Sequence, residues 1–139
     1  MKPLLGTKAS PSMVHFSLLM LRIGVAALML THGWPKFMKV VTGNFTFGDP
    51  IGIGSASSLI LSMLAEFVCS ILILIGFQTR VAAIILMINM LVVAFFAHGA
   101  DPFGKKEMPL LYFLVYFTLY FVGPGKHSID GRTNKTWPG

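Results

Sequence analysis

Two charged side chains stand alone in long apolar runs of the sequence and are the first candidates for chemistry. Glu66 lies inside the run 59–77, and Arg22 lies inside the run 13–31. An unpaired charge in hydrocarbon is costly, so each residue must either lose its charge or find a partner. We therefore predict that Glu66 faces the protein interior within direct or water-bridged reach of Arg22, and that both have a catalytic role.

Polar residues of the other two apolar runs fall at a similar depth. At about 1.5 Å per residue, Arg22, Glu66, Asn89 and Tyr116 all lie roughly 12–15 Å from the same membrane face. Tyr112 precedes Tyr116 by one helical turn and shares its face. We predict that these five residues form a ligand-binding layer. An internal salt bridge that only fixes the order of the helices explains the same residues, so both interpretations stay open.

A second polar set follows the ends of the apolar runs and adds four ligand-binding candidates. His32 and Lys36 come after the first run, and His98 and Glu107 lie on either side of the loop after the third. The histidines have the chemistry to relay protons or to bind a metal. Two histidines on separate helices do not make a metal site. The sequence therefore favours interfacial helix-end histidines, and no metal is predicted.

The composition is that of an integral membrane protein. Of the 139 residues, 55% are hydrophobic and only 12% are charged, against about 45–50% apolar and about 25% charged in soluble domains. The net charge is +6, but the cations flank apolar runs, where they anchor helices in lipid. This pattern predicts contact with the lipid bilayer and no nucleic-acid partner. Cys69 is the single cysteine, which excludes an internal disulfide.

The four apolar runs predict an all-α fold, an antiparallel up-down four-helix bundle in the membrane. Gly33 and Pro35 indicate that the first regular helix ends near Thr31. The predicted parts are an N-terminal tail 1–12, spans 13–31, 59–77, 81–97 and 107–122, an interfacial loop 32–58 between the first two spans, and a basic tail 126–139. The transmembrane domain as a whole is 13–125.

Four spans place both termini on the same side of the membrane. That side carries six Lys and Arg residues near the span ends, and the opposite side carries four. Because positive charge accumulates in cytoplasmic segments, we predict a multi-pass protein of the bacterial inner membrane with cytoplasmic termini.

An ordered set of short motifs resembles the DoxX family of small four-span bacterial membrane proteins (DoxX/DoxD-like). The motifs cover the chain from about Ser17 to Asp130. They are Arg22-Ile23-Gly24, His32-Gly33-Trp34-Pro35-Lys36, Glu66, Gly76-Phe77-Gln78-Thr79-Arg80, His98, Glu107, Gly123-Pro124-Gly125 and Ser128-Ile129-Asp130.

The family takes its name from a subunit of an archaeal thiosulfate:quinone oxidoreductase. The resemblance therefore implies a quinone-interacting subunit of a membrane oxidoreductase. In that role Arg22 would donate hydrogen bonds to a quinone carbonyl, and Glu66 would carry protons. The sequence has no flavin, haem or iron–sulfur signature, so electrons would come from a redox partner subunit or a diffusing donor.

Two other functions fit the same sequence, and whether the chain is itself an enzyme stays open. A non-catalytic membrane adaptor would use the bundle as a platform for partner proteins. A small-solute transporter would use the polar layer as its pathway, and four spans would then need a homo-oligomer. A stable co-purifying partner would favour the adaptor, and flux into liposomes would favour the transporter.

Overall fold

The computed structural model describes residues 6–134, and this part of the chain is all helical. Helix α1 is Pro11–Val41, α2 is Ser55–Ile75, α3 is Thr79–Ala97, α4 is Phe103–Val122 and the short α5 is Ile129–Thr133. The predicted all-α class is confirmed. Lys2 and Lys135, which were counted for the membrane orientation, lie outside the described residues.

Three of the helices in residues 6–134 are long and apolar enough to cross a membrane. These are α1, α2 and α3. Helix α4 has 20 residues, but its first turns contain Lys105, Lys106 and Glu107. Many large apolar side chains on the outer helix faces are exposed, including Leu28, Phe96 and Leu111. Exposed apolar residues on this scale suit a surface in contact with lipid.

Helix α1 is longer than the sequence predicted, and the predicted loop 32–58 is correspondingly wrong. The helix runs through Gly33 and Pro35 to Val41, and residues 42–54 form the loop. A proline removes one intrahelical hydrogen bond, but here the helix continues beyond it. With 31 residues, α1 is about 46 Å long, compared with a hydrocarbon core of about 30 Å.

Gly33 marks the point where α1 crosses α2. A Cβ atom at this position would lie 2.5 Å from the Glu66 carbonyl oxygen and 2.7 Å from the Phe67 amide nitrogen. No side chain fits at that separation, so glycine is required for the two backbones to meet. The crossing places Gly33 at the depth of Glu66.

The four long helices pack in two pairs, and α2 ends in a glycine cap. Helix α1 packs along α2, and α3 packs along α4. The core between them contains mainly small and aliphatic residues together with the fully buried Tyr116. Helix α2 ends at Gly76 in a left-handed conformation with φ of 70°, a position that glycine adopts at little cost.

Candidate functional site

Glu66 is the most deeply buried carboxylate among residues 6–134 and has three hydrogen-bond donors around it. Its side chain is almost fully enclosed, with only 2% of the residue exposed. The Lys36 ammonium donates to Oε2 and forms a salt bridge. Asn89 Nδ2 donates to Oε1 over 2.9 Å, and Ser62 Oγ donates to the same oxygen over 3.3 Å. The carboxylate cluster is hereafter these four residues.

The local backbone positions the carboxylate cluster. Glu66 lies in a π-helical segment of α2, Leu64–Val68, and single π-helical turns within α-helices occur frequently at functional sites. Ser62 precedes Glu66 by four residues and so lies on the same face. Lys36 follows Gly33 by one turn of α1, so the close helix crossing delivers its ammonium group to the carboxylate.

A cavity of about 480 Å³ adjoins the carboxylate cluster between α2 and α3. Its walls are mostly apolar, and its polar lining includes Lys36, Ser62 and Asn89. These three are the donors that hold Glu66, whereas Glu66 itself does not line the cavity. The carboxylate therefore lies behind the donors and orients them. A volume in the range of about 300–1,000 Å³ with a few placed polar groups is typical of a small-molecule site.

The loop 42–54 folds over this cavity as a cover. Phe47, Pro50, Ile51 and Ile53 from the loop line it. The sequence predicted an interfacial loop for this stretch, and in the structure the loop lines one side of the cavity. Lys39 Nζ donates to the Thr46 carbonyl over 2.9 Å and fixes one side of the cover.

Asp49 ties the other side of the cover to the start of α2. Its carboxylate accepts from the amides of Gly54 at 3.0 Å and Ile53 at 2.9 Å, and from Ser58 Oγ at 3.1 Å. The hydrogen bond from Gly54, with those from Ser58 and Ile53, holds the pKa of the Asp49 carboxyl below its ordinary value. The Asp49 carboxylate beside the start of α2 is thus anionic at neutral pH.

Three aromatic residues predicted for the site lie near Glu66 but do not line the cavity. The rings of Tyr112 and Tyr116 stack with centroids 6.2 Å apart, and the His32 ring meets Tyr112 edge-on at 6.1 Å. Both tyrosines are close enough to Glu66 to interact with it electrostatically. Their predicted common face is confirmed. None of the three is among the cavity-lining residues.

Arg22 has entirely different partners, and the predicted pairing of Arg22 with Glu66 is wrong. The guanidinium donates from Nε to the Ile73 carbonyl over 3.1 Å and from Nη2 to the Leu74 carbonyl over 3.1 Å. Nη1 donates to Pro124 and His127 carbonyls over 2.8 and 2.9 Å. Arg22 precedes Gly33 by eleven residues, so it lies about 16 Å from the level of Glu66.

The carbonyls around Arg22 belong to the end of α2 and to the turn after α4. A cation suits the end of α2, where the last carbonyls have no helical partner. The turn is held further by Asp130, whose carboxylate accepts from the amides of Gln78 and Thr79 at the start of α3. The first part of the predicted basic tail 126–139 is therefore a packed segment, and Arg22 serves to hold it.

The remaining candidates are His98, in the loop between α3 and α4, and Glu107, in the first turns of α4. His98 Nδ1 is 2.8 Å from Asp101 Oδ2, and this contact lowers the pKa of the Asp101 carboxyl. His98 thus pairs within its own loop, while His32 contacts Tyr112. Glu107 is exposed near the start of α4. Within residues 6–134, no three His, Cys, Asp or Glu side chains converge as a metal site requires.

One sequence signal for the carboxylate cluster was missed. Ser58, Ser62, Glu66 and Ser70 recur every four residues, and all four are buried. Such a stripe in an apolar helix indicates one polar face turned toward the protein interior. It would have predicted Ser62 as a partner of Glu66 without any knowledge of the neighbouring helices.

Comparison with known proteins gives one family and several relatives. The DoxX family model matches residues 17–99. The chain is 34% identical over 128 residues to an uncharacterized protein of Haemophilus influenzae, covering 84% of this chain and 90% of that protein. It is 31% identical over 123 residues to the inner membrane protein YqjF of Escherichia coli, covering 86% and 93%.

A third relative is the uncharacterized membrane protein Rv3486 of Mycobacterium tuberculosis. It is 30% identical over 139 residues, which cover 86% of this chain and 82% of the relative. No solved structure matches the chain. The family match includes Lys36, Glu66 and Asn89 but not Glu107.

Proposed function

We propose, on the premise that the chain belongs to the DoxX family of membrane proteins, that it binds a quinone as a subunit of a membrane oxidoreductase. The observation that carries the proposal is the cavity between α2 and α3. Its walls are apolar, and Lys36, Ser62 and Asn89 form a polar end that Glu66 orients.

The chemistry of the polar end suits a quinone head group. A quinone offers carbonyl oxygens, which only accept hydrogen bonds, and an apolar ring. Lys36 has an ammonium with three N–H donors, and Asn89 has an amide with two. Each uses one on Glu66, so each retains donors for a ligand. The side chain of Lys36 is 19% exposed, which lets it reach the cavity.

Lys36 and Glu66 have distinct parts in this proposal. Reduction of a quinone to a quinol takes two electrons and two protons, and the protons come from water. Lys36 donates a hydrogen bond to one carbonyl oxygen, where negative charge develops, and Glu66 keeps the ammonium in place. The electrons come from a partner redox protein or a diffusing donor. Arg22, whose guanidinium already donates to four backbone carbonyls, takes no part, which revises the role that the resemblance implied for it.

Quinone binding by the purified protein in lipid nanodiscs tests this proposal. We expect a short-chain ubiquinone to bind, and Asn89→Ala to weaken binding by about ten- to a hundredfold, since a hydrogen bond within a charged network contributes roughly 1.5–3 kcal/mol. Ser62→Ala and Ser70→Ala form a matched pair on α2, because only Ser62 lines the cavity. Equilibrium dialysis gives the dissociation constants, and unfolding curves report whether each variant is folded.

Two results would contradict quinone binding. One is a folded wild-type protein that binds no quinone, and the other is equal affinity in the Ser62→Ala, Ser70→Ala and Asn89→Ala variants. A stably co-purifying partner protein in the absence of quinone binding would favour the adaptor function instead.

We also propose that α4 crosses the membrane and that both termini lie in the cytoplasm of a bacterial cell. Lys36 forms a salt bridge with Glu66, so we leave it out of the count of cations on the side of the membrane opposite the termini. The comparison becomes six against three: Lys2, Lys8, Arg80, Lys126, Arg132 and Lys135 against Lys39, Lys105 and Lys106. By the positive-inside rule, we expect alkaline phosphatase to be active when fused after Asp101 and inactive when fused after Arg132. The reverse pattern would overturn this orientation.

A further inference from the structure

We infer that the ligand enters the cavity sideways from the bilayer, between α2 and α3, and that it is an uncharged lipid whose apolar tail remains in the membrane. The inference rests on the proposed use of this cavity as the ligand site. It adds the route of entry and the physical class of the ligand.

The wall of the cavity reaches the outer surface of the helices. Leu61 on α2 and Ile85 and Ile88 on α3 line the cavity. The same residues are 55%, 42% and 59% exposed. Exposed apolar residues in the wall between two apolar helices give the cavity a side that suits contact with lipid. These three residues are hereafter the portal, and all are apolar.

On the aqueous side the loop 42–54 lies over the cavity, and its lining residues Ile51 and Ile53 are 46% and 43% exposed. The loop places apolar side chains over the cavity and is tied down at two ends by Lys39 and Asp49. The ammonium groups of Lys36 and Lys39 also lie 5.8 and 6.0 Å from the centre of the Phe47 ring, within the range of cation–π attraction. A ligand dissolved in water would have to displace this cover.

The depth of the polar end decides which class of lipid fits. Asn89 precedes the end of α3 at Ala97 by eight residues, or about 12 Å. A head group that reaches Asn89 therefore leaves the interface and enters the hydrocarbon region, where a formal charge is costly. A neutral head group with acceptor oxygens can make this move. A phospholipid keeps its charged phosphate at the interface, because moving that charge to the depth of Asn89 would cost far more than moving a neutral head group.

The portal also accommodates the tail. Ile88 is the immediate neighbour of Asn89, and Ile85 precedes Asn89 by one turn. A head group bonded to Asn89 thus has the opening beside it, and an attached chain passes directly between α2 and α3 into lipid. A tail of many isoprene units then stays in the lipid and takes up no space inside the protein. A cavity of about 480 Å³ then has to hold only the head group.

Filling the portal tests the route of entry. We compare Ile88→Trp with Ile84→Trp, because Ile84 is exposed on the same helix one turn away and does not line the cavity. In nanodiscs, Ile88→Trp should slow the loading of both ubiquinone-8 and short-chain ubiquinone-1 at least tenfold, because both head groups pass the same opening. Ile84→Trp should change neither. Leu61→Trp narrows the portal from α2 and should repeat the Ile88→Trp result if that variant folds poorly.

The outcomes separate this inference from the proposed function. If the wild-type protein binds both quinones and Ile88→Trp and Leu61→Trp leave ubiquinone-8 loading unchanged, the lateral route is wrong while quinone binding stands. If the wild-type protein binds neither quinone, the proposed function itself fails. Competition by phosphatidylglycerol as strong as that by ubiquinone-8 would overturn the assignment to an uncharged lipid.

Discussion

Replacing Arg22 with methionine is expected to destabilise the protein by roughly 4 kcal/mol or more. The side chain is 1% exposed and donates hydrogen bonds to four backbone carbonyls. Methionine fills a similar volume but donates nothing, so the Leu74, Pro124 and His127 carbonyls lose this donor, while the Ile73 carbonyl keeps the Gly76 amide. Each buried group left without a hydrogen bond costs about 1–3 kcal/mol. The loss also frees the turn after α4 from the end of α2.

The matched control for this prediction is Arg80→Met. Arg80 is exposed near the start of α3, and such surface changes usually alter stability by less than about 0.5 kcal/mol. Arg22→Lys should fall between the two, because an ammonium cannot reproduce the planar fork of donors. Unfolding curves in detergent micelles and proteolysis after Lys126 give the readouts. An Arg22→Met protein as stable and as protease-resistant as Arg80→Met would contradict the assigned role.

Removing the cation next to Glu66 is expected to have the second large effect. Lys36→Met leaves a carboxylate that is 2% exposed without its counter-charge, and breaking a buried ion pair in this way costs about 3–5 kcal/mol. Glu66→Gln should cost less, because glutamine still accepts a hydrogen bond and lysine can extend toward water. The double variant Lys36→Met/Glu66→Gln should recover most of the stability lost in Lys36→Met.

A second double-mutant cycle serves as the control for this one. Arg22 and Glu66 share no hydrogen-bond partner and lie about 16 Å apart along the helices. Combining Arg22→Lys with Glu66→Gln should therefore be additive within about 0.5 kcal/mol. The Lys36–Glu66 cycle should give a coupling energy above about 1 kcal/mol. Coupling of Glu66 to Arg22 and none to Lys36 would restore the pairing expected from the sequence.

The sequence identified the interior charges correctly but assigned the wrong pair, and the cause is a single helix end. Gly33 and Pro35 were interpreted as the end of the first span near Thr31, whereas α1 ends at Val41. Ten residues correspond to about 15 Å along a helix. With the end corrected, Gly33 falls at the depth of Glu66, Lys36 lies within one turn of it, and Arg22 lies about three turns away.

The partners of Arg22 could not be found by matching opposite charges. Four backbone carbonyls satisfy the guanidinium, and two of them come from positions more than 100 residues later in the chain. Every residue except proline has the same backbone groups. A binding site made of backbone carbonyls therefore cannot be recognised from the types of residue in the sequence. The motifs at Gly76, Gly123-Pro124-Gly125 and Ser128-Ile129-Asp130 could be recognised in order, but only the fold brings them around Arg22.

Asn89 and the tyrosines were predictable because their positions depend on local spacing. Asn89 lies at the depth of Glu66 whichever end of α3 is used for the count, and it donates to that carboxylate over 2.9 Å. Tyr112 and Tyr116 share a face because they are four residues apart. The cavity was not predictable, since it arises where α2, α3 and the loop 42–54 meet.

Photoaffinity labelling with an azido-quinone tests the central claim, a quinone site at the carboxylate cluster, most directly. The purified protein in nanodiscs is irradiated with the probe, and the modified residues are located by mass spectrometry. We expect the label on cavity residues of α2 and α3, such as Leu61, Ile88 or Val92, with competition by unlabelled quinone and a weaker signal in Asn89→Ala. Competed label confined to the Arg22 end of the bundle, or no competed label at all, would contradict this account.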